Sequence, residues 1–295
     1  MNPEDILQAI QHFEKPKRRA MGVVFPFLKK PIIVSRIFVT KIRNRIKFPI
    51  AREKSNVFYK NVVARHQSVL MRKLGKSDQN LQKNKIINLK RACHDLNGLI
   101  IKPNEVFSLW EIIGRPTYSR GYVDGMLLSN GGVQKGVGGG LCQLSNFLCW
   151  LLLHADTKII ERYHHSWDVF PDSGRVLPFG SGATCFYNFL DLKVKNISHA
   201  PLQIKIWVTD THLKGQLLSE KNHEIKFSIK QENHAFIRHS SRYYRFNQIW
   251  RVARKHGSEL VKERIFTNLA PVRYQVTPDY LARNNYTFID FQGGK

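Results

Sequence analysis

The amino-acid sequence predicts an α+β fold in which a buried, cysteine-bearing helix packs on a mostly antiparallel sheet. The segment 141–155 is apolar on most faces, which predicts a helix inside the core rather than on its surface. Apolar and polar residues alternate over 190–194 and again over 202–208, as is typical of half-buried strands. A helix followed by consecutive strands indicates the α+β class, and strand-like segments over 223–295 predict a β-rich C-terminal part.

The other elements follow from local patterns along the chain. Apolar residues recur at helical spacing over 81–97, and Gly98 ends this predicted helix. The two alternating runs are joined by a short loop and predict an antiparallel hairpin. A further hairpin is predicted to turn at His256-Gly257-Ser258. The shorter predicted elements are strands at 99–101 and 158–163, an extended segment at 106–110, glycine-rich loops over 114–140, and a strand running from a turn at 179–184 through Asn196.

Changes in composition divide the chain into three predicted regions. Residues 1–55 form a basic N-terminal region, because positive charge is concentrated there. Residues 56–210 hold the predicted buried helix and the first strands, and we assign them to a core domain. Residues 211–295 are predicted to form a β-rich C-terminal extension.

The charge of the chain predicts an anionic partner. Lys and Arg number 47 against 22 Asp and Glu, a formal net charge of +25, and nucleic acid, anionic lipid and polyanionic wall precursors all attract such a protein. Nucleic acid is disfavoured because no helix-turn-helix, zinc or aromatic-strand signature accompanies the charge. Residues 15–52 hold twelve Lys and Arg, no acidic residue and many apolar residues. This pattern predicts either an amphipathic segment on an anionic membrane surface or an arm whose apolar side packs on the main domain.

The location of the protein is predicted from the segments that its sequence lacks. The N-terminus reads Met-Asn-Pro-Glu-Asp, without the basic stretch and apolar core of a secretory signal. No run approaches the roughly 20 apolar residues of a spanning helix. We therefore expect a cytoplasmic protein, peripheral to the inner membrane face if the basic segment binds lipid. The four cysteines form no C-x-x-C pair, so neither a metal site nor a cofactor is expected.

A cysteine at the start of the central helix is the first candidate for catalysis. Gly138, Gly139 and Gly140 end a loop, and Cys142 follows two positions later. A helix N-terminus presents free N–H groups and a positive dipole end, which acidify a thiol toward the reactive thiolate. Backbone N–H groups from Gly140 onward are predicted to form an oxyanion hole, Gln143 adds a side-chain donor, and Gly139 and Gly140 let a substrate approach the backbone.

The histidines that follow supply a candidate base. His164 and His165 come just after a predicted strand, and only one of two successive side chains in a strand faces the thiol. Arg162 lies beside them and is a candidate clamp for a substrate carboxylate, since guanidinium binds carboxylate through two hydrogen bonds. The residue that orients the base is left open among three candidates, which are Asp168, Asp172 and Ser166.

The segment from Leu96 to Asn196 resembles the VanW family. The matching pieces stand in the order and at the spacing of the family, and they cover about a third of the chain. They are Leu-Asn-Gly-Leu-Ile-Ile-Lys-Pro at 96–103, Phe107-Ser108, Gly-Gly-Gly-Leu-Cys-Gln-Leu-Ser-Asn at 138–146, Ile-Ile-Glu-Arg at 159–162, His165, Gly180, Ala183-Thr184, Asp191-Leu192 and Asn196.

The resemblance implies an activity and two site residues. Some VanW domains act as peptidoglycan L,D-transpeptidases with a cysteine nucleophile, which implies that role for Cys142. His165 stands at the histidine of the family's Glu-Arg…His element and is therefore preferred to His164 as the base. The family usually has an aspartate before Ala-Thr, whereas this chain has Gly182. If that carboxylate orients the histidine in relatives, another group must do so here.

Two functions are therefore expected. The first is acyl transfer by Cys142 on a peptidoglycan stem peptide or its precursor, in a role linked to the cell wall or to glycopeptide resistance. The second is non-catalytic binding of anionic wall precursors or of the membrane surface, which the charge of +25 and Gly182 favour. Replacing Cys142 with alanine separates them, because only the first depends on the thiol.

Overall fold

The computed structural model describes residues 3–14, 26–71, 79–129, 132–169, 171–172 and 176–291. Within these ranges the fold is α+β, as predicted, with six α-helices and thirteen strands in mainly antiparallel sheets. The chain divides into two compact units, Met1–Pro49 and Ile50–Lys295. Among the described helices, none has both the length and the apolar character that crossing a bilayer requires.

The described residues of the first unit, 3–14 and 26–49, form two helices. Helix α1 spans Pro3–Glu14, and a single 3₁₀ turn, Pro26–Leu28, leads into helix α2, Lys29–Lys47. Ile6 and Ile10 of α1 are buried. The first part of the predicted basic segment, residues 15–25, lies outside the described residues.

The second unit begins with a mixture of short strands and three helices. The predicted helices at 81–97 and 141–155 are confirmed as α3 and α5, and the predicted strands at 99–101 and 158–163 are confirmed as β2 and β6. The elements are β1 Asn61–Val69, α3 Gln79–Leu96, β2 Ile100–Ile101, β3 Val106–Ser108, α4 Leu109–Ile113, β4 Asp124–Ser129, β5 Gly132–Val137, α5 Leu141–Leu153, β6 Thr157–Glu161, β7 Lys193–Asn196, β8 Leu202–Val208 and β9 His212–Ser219.

Two predicted extended segments are shorter than expected. The segment at 106–110 ends as a strand at Ser108, because the Ser108 hydroxyl accepts a hydrogen bond from the backbone N–H of Glu111 and caps helix α4. The strand predicted to run through Asn196 exists only as β7. Before it, the chain makes a tight turn in which Phe186 bridges Leu190 and Asn188 adopts a positive φ of 59°.

The predicted hairpin between 190–194 and 202–208 is wrong. Strand β7 pairs with β3 and β6, whereas β8 pairs with β9 and β2 in another sheet. The carboxamide of Asn196 explains the separation, because it donates to the carbonyls of Ile101 at 2.8 Å and Ala200 at 2.9 Å. These bonds hold a bend between β7 and β8, at the place where a hairpin would need a turn. The alternation of apolar and polar residues thus identified the strands but not their partners.

Strands β8 and β9 form a hairpin that spans the predicted end of the core domain. Their register runs from Leu202 opposite Ser219 to Val208 opposite Leu213. Strand β9 also pairs with β1, in a four-stranded sheet of order β1-β9-β8-β2. This sheet therefore continues past residue 210.

The C-terminal part is a second four-stranded sheet, which confirms its predicted β-rich character. The hairpin predicted at His256-Gly257-Ser258 is also confirmed: Lys255 pairs with Ser258, and both turn residues have positive φ, His256 49° and Gly257 85°. The sheet order is β12-β11-β10-β13. Its elements are β10 Ile225–His239, β11 Arg242–Lys255, β12 Ser258–Pro271, α6 Pro278–Arg283 and β13 Thr287–Phe291.

Helix α5 is the centre of the main hydrophobic core. It packs against β1, β9 and α3, and nine of its residues are buried. Ile249 and Phe266 bring the C-terminal sheet into the same cluster. Burial on nearly every side explains the continuous apolar sequence of this helix. The rigid surroundings fix the position of its first turn, where Cys142 lies.

His66 of β1 makes the stability of this core depend on pH. Its ring lies 5.0 Å from that of Phe147 and 6.2 Å from that of Trp150. Burial, with a smaller contribution from His154, lowers the pKa of His66 to about 4. Because the folded state holds the imidazole neutral, the unfolded state binds more protons between pH 6.5 and 4.

We therefore expect stability to fall as the pH is lowered through this window. Because His66 is only half-buried, we expect its share to be on the order of 1–2 kcal/mol. Urea unfolding at pH 7 and pH 4.5 measures the loss. The loss should be smaller in His66→Phe, which keeps an aromatic ring but cannot titrate. An equal loss in both proteins would contradict this account.

Candidate functional site

The glycines before Cys142 position the first turn of α5. A Cβ atom on Gly139 would lie 2.1 Å from the carbonyl carbon of Gly125, so only glycine allows β4 to approach this closely. Gly140 is the N-cap residue and has a φ of 94°. Asn88 of α3 donates to the carbonyl of Gly139 at 2.9 Å. The glycine-rich sequence thus fixes the start of the helix against β4 and α3.

Cys142 is the second residue of α5, and its side chain is half-buried. Its Sγ lies 3.7 Å from the hydroxyl oxygen of Thr184, 3.7 Å from the carbonyl oxygen of Cys185 and 4.0 Å from the Sγ of Cys185. The sulfur thus has two groups beside it, a hydroxyl and a thiol, that can donate a hydrogen bond to a thiolate.

The pKa values of the cysteines differ in a way that singles out Cys142. The hydrogen bond from Cys185 and the positive charge of His165 outweigh burial and lower the pKa of Cys142 to about 5. The pKa of Cys185 is raised, first by the same hydrogen bond and then by burial. Burial raises the pKa of Cys93 to about 12 and that of Cys149 to about 11. Cys142 is therefore the acidified thiol of the pair, and the thiolate is the form of cysteine that reacts with carbonyl groups.

A backbone bridge brings the histidine segment beside this sulfur. The N–H of Thr184 donates to the carbonyl of Tyr163 at 2.7 Å, so the residues after β6 lie next to the residues that contact Cys142. His165 is half-buried and acts on the thiol through its charge. Within the described residues, no hydrogen bond joins its imidazole to the sulfur. Catalytic hydrogen bonds are often long before substrate binds.

His164 has a different environment. Its Nδ1 lies 2.8 Å from the carbonyl oxygen of His165, an acceptor, so this nitrogen carries the proton. Burial, the main cause, and the charges of Arg162 and His165 lower the pKa of His164, which keeps its imidazole neutral at pH 7. The two histidines thus differ, because only His165 contributes to the acidity of Cys142.

Gln143 and Arg162 use their donors within the protein. Gln143 Nε2 donates to the hydroxyl of Ser68 and to the carbonyl of Val69, both at 2.9 Å, and ties α5 to the end of β1. The Arg162 guanidinium stacks 3.7 Å from the ring centre of Phe266. It also binds the carbonyls of Gly180 and Gly182 and the side-chain oxygen of Asn268. In this structure both side chains therefore bind other parts of the protein and link the segments around the site.

The position of Gly182 is filled by a neighbouring side chain. A Cβ atom there would lie 2.2 Å from Oδ1 of Asn146, which is one helical turn after Cys142. This chain therefore has an amide next to the place where the resemblance expects a carboxylate.

Asp168 and Asp172 lie in a buried cluster with the C-terminal sheet. Arg245 donates to Asp168 at 3.2 Å and binds both oxygens of Asp172. Tyrosine hydroxyls donate to the same carboxylates, Tyr274 to Asp168 at 2.9 Å and Tyr286 to Asp172 at 2.6 Å. These contacts attach the segment that follows His164 and His165 to the C-terminal part of the chain.

Thr184 and Cys185 are the site residues that sequence reasoning missed. They lie more than 40 positions after Cys142, and no local pattern links them to it. The one available signal was Ala183-Thr184, which belongs to the family resemblance. Among the described residues, no group of three or more His, Cys, Asp or Glu side chains could hold a metal ion.

The fold and the site define an α+β protein with an acidified thiol at the first turn of a buried helix. The family model described as VanW like protein matches residues 84–218, which include the glycines, Cys142 and both histidines. The chain is 33% identical over 199 residues to the vancomycin B-type resistance protein VanW of Enterococcus faecalis (strain ATCC 700802 / V583), covering 67% of this chain and 72% of that protein. The chain belongs to the VanW family, which is linked to vancomycin resistance, and the resemblance seen in its sequence is confirmed.

A second relative matches over a shorter region. The chain is 29% identical over 118 residues to the uncharacterized protein YoaR of Bacillus subtilis (strain 168), covering 40% of this chain and 37% of YoaR. No solved structure matches the chain.

Proposed function

We propose that this protein is a cysteine-dependent acyltransferase that acts on peptidoglycan stem peptides or their precursors. The observation that carries the proposal is the position of Cys142 at the first turn of α5, where the Thr184 hydroxyl lies 3.7 Å and the Cys185 thiol 4.0 Å from its sulfur. These contacts help to lower its pKa to about 5. A structural thiol in a core has the opposite property, as Cys149 shows in the same helix. Thiolates at helix starts serve as nucleophiles in acyl transfer.

In the first step, the Cys142 thiolate attacks the carbonyl carbon of a peptide bond. The carbonyl oxygen becomes an oxyanion, and we assign its stabilisation to the backbone N–H of Cys142, in the first turn of α5, and to the hydroxyl of Thr184, 3.7 Å from the sulfur. The N–H of Gln143 donates to Gly140 at 3.0 Å and is not used. The carbon–nitrogen bond then breaks, the leaving amine takes a proton from the His165 imidazolium, and the acyl group remains on sulfur as a thioester.

In the second step, the amine of an acceptor attacks the thioester. Neutral His165 accepts the proton of the attacking nitrogen, the carbon–sulfur bond breaks, and Cys142 leaves again as a thiolate that Cys185 and Thr184 stabilise. His165 thus returns the proton that it gave in the first step. No metal, oxidant or cofactor enters either step.

Three features support a wall peptide as the substrate. Stem peptides carry free carboxylates, and the net charge of +25 attracts them. The relative from E. faecalis is named for resistance to vancomycin. The third feature is the basic, partly apolar segment at residues 29–47, for which we propose contact with an anionic membrane, where lipid-linked precursors are found.

The test is detection of the acyl-enzyme by intact mass. The full chain is incubated with a stem tetrapeptide ending in an L-centre followed by a D-residue and is then quenched in acid. We expect a mass increase equal to the acyl part of the peptide, which hydroxylamine removes because it cleaves thioesters. An all-L peptide of the same sequence serves as the control. Failure to find an adduct with any stem peptide would count against the proposal.

A second candidate function is binding of anionic wall precursors without catalysis. The internal hydrogen bonds of Arg162 and Gln143 and the absence of a carboxylate at Gly182 favour it. Binding that survives Cys142→Ala and disappears in high salt would support this function instead, because exposed charges are screened by salt.

A further inference from the structure

Helix α2 exposes a mainly apolar face. Phe38 is 65% exposed, Val34 65% and Ile46 82%, values that are unusual for large apolar side chains. Six such residues lie on the helix, namely Ile32, Val34, Phe38, Val39, Ile42 and Ile46. Such a patch marks a surface that contacts something apolar.

The apolar face points away from the side of α2 that is covered. Ile33, Ile37, Thr40 and Asn44 are half-buried or buried and recur every three or four residues, so they share one face. At 3.6 residues per turn, the six exposed residues occupy an arc of roughly 160° on the opposite side. Ser35 falls within this arc, and its hydroxyl donates to the carbonyl of Ile32 at 3.0 Å. Its polarity is thus partly satisfied inside the helix.

Positive charge borders the apolar face on both sides. The helix contains seven Lys and Arg residues and no Asp or Glu. The bordering residues are Lys30 and Lys41 along one edge, and Arg36, Arg43 and Lys47 along the other. Arg45 falls just inside the arc, between Val34 and Phe38. Long basic side chains at the edges of an apolar face reach lipid headgroups while the face enters the boundary with the acyl chains.

We propose that α2 lies along the surface of an anionic phospholipid bilayer, with Phe38 and Ile46 inserted at the headgroup boundary. The charge of the helix selects anionic over neutral lipid, because basic residues near such a surface are attracted by its negative potential. Helix α2 belongs to the first unit and Cys142 to the second, and the proposal does not depend on acyl transfer.

The test is flotation of the full chain with lipid vesicles in 0.15 M salt. We expect at least about tenfold stronger binding to vesicles of 70% phosphatidylcholine and 30% phosphatidylglycerol than to pure phosphatidylcholine. The double variant Phe38→Gln/Ile46→Gln keeps every charge and uses a good helix former. We expect it to bind the anionic vesicles at least about fivefold more weakly, since it loses two inserted side chains.

The matched control is Val57→Gln/Leu260→Gln. It removes two exposed apolar side chains, 80% and 51% accessible, that lie outside α2. Binding of this control should equal that of the wild type. Equal binding by the α2 variant and the wild type would overturn the proposal, because charge alone would then explain adhesion. A concentration-dependent dimer that the α2 variant abolishes, without vesicle binding, would assign the face to a second copy and would also overturn it.

Discussion

The change Cys142→Ala is expected to abolish the acyl-enzyme, with a loss of at least about a thousandfold in the rate of acyl transfer. The remaining groups, Thr184 and His165, can polarise a carbonyl but cannot form a thioester. The fold should survive, because the side chain is small and half-buried. We expect a change in the free energy of unfolding of less than about 1 kcal/mol, measured by urea denaturation.

Cys149→Ala is the matched control for this variant. It removes the same atom from the same helix, seven residues further on, at a site that is fully buried. It should therefore cost stability, about 1 kcal/mol, while the adduct still forms. If both variants formed the adduct, the nucleophile would lie elsewhere. If the adduct disappeared from both, the loss would reflect the fold rather than the thiol.

Arg245→Met is expected to be the most destabilising of the changes considered, at about 3–5 kcal/mol. Arg245 is 1% exposed and binds the carboxylates of Asp168 and Asp172. Its guanidinium also donates to Nε2 of His234 at 2.8 Å. Methionine would fill much of the space, but it would remove the guanidinium that both carboxylates bind. Guanidinium chloride unfolding at pH 7 measures the effect.

Arg238→Met provides the comparison on the neighbouring strand. Arg238 pairs with Asp290 at the surface, and such pairs typically contribute about 0.2–1 kcal/mol. A similar small loss in both variants would contradict the structural role of the buried cluster. Asp168 and Asp172 follow the histidine segment closely in the chain, so we expect Arg245→Met to loosen the position of His165 as well. The pKa of Cys142 should then rise, because His165 helps to lower it, whereas Arg238→Met should leave it unchanged.

The sequence predicted the parts of the fold that local patterns determine. Helix α5 followed from its apolar run, and the turn at His256-Gly257 followed from residues that tolerate positive φ. The pairing of β7 and β8 could not be predicted in this way. It depends on the side chain of Asn196, which binds Ile101 across 95 positions of the chain. Alternation shows which face of a strand is buried but not which strand lies next to it.

In the candidate site, too, local features could be predicted from the sequence and long-range contacts could not. Cys142 was identified from its own neighbours, since glycines and a helix start are local features. The partners that set its acidity, Thr184 and Cys185, come from a distant segment that the Tyr163 bridge brings close. Sequence also could not reveal that Gln143 and Arg162 have partners inside the protein, because their acceptors, among them the carbonyls of Val69 and Gly182, lie on distant segments of the chain.

The acidity of Cys142 can be measured from the rate at which iodoacetamide alkylates it between pH 4 and pH 10. Mass spectrometry of the peptide that contains Cys142 gives the rate, and the buried Cys93 and Cys149 serve as internal references. We expect the rate to reach half of its maximum near the pKa of about 5 and to stay flat above pH 7. A rate that rises only around pH 8.5, as for an ordinary cysteine, would contradict this expectation.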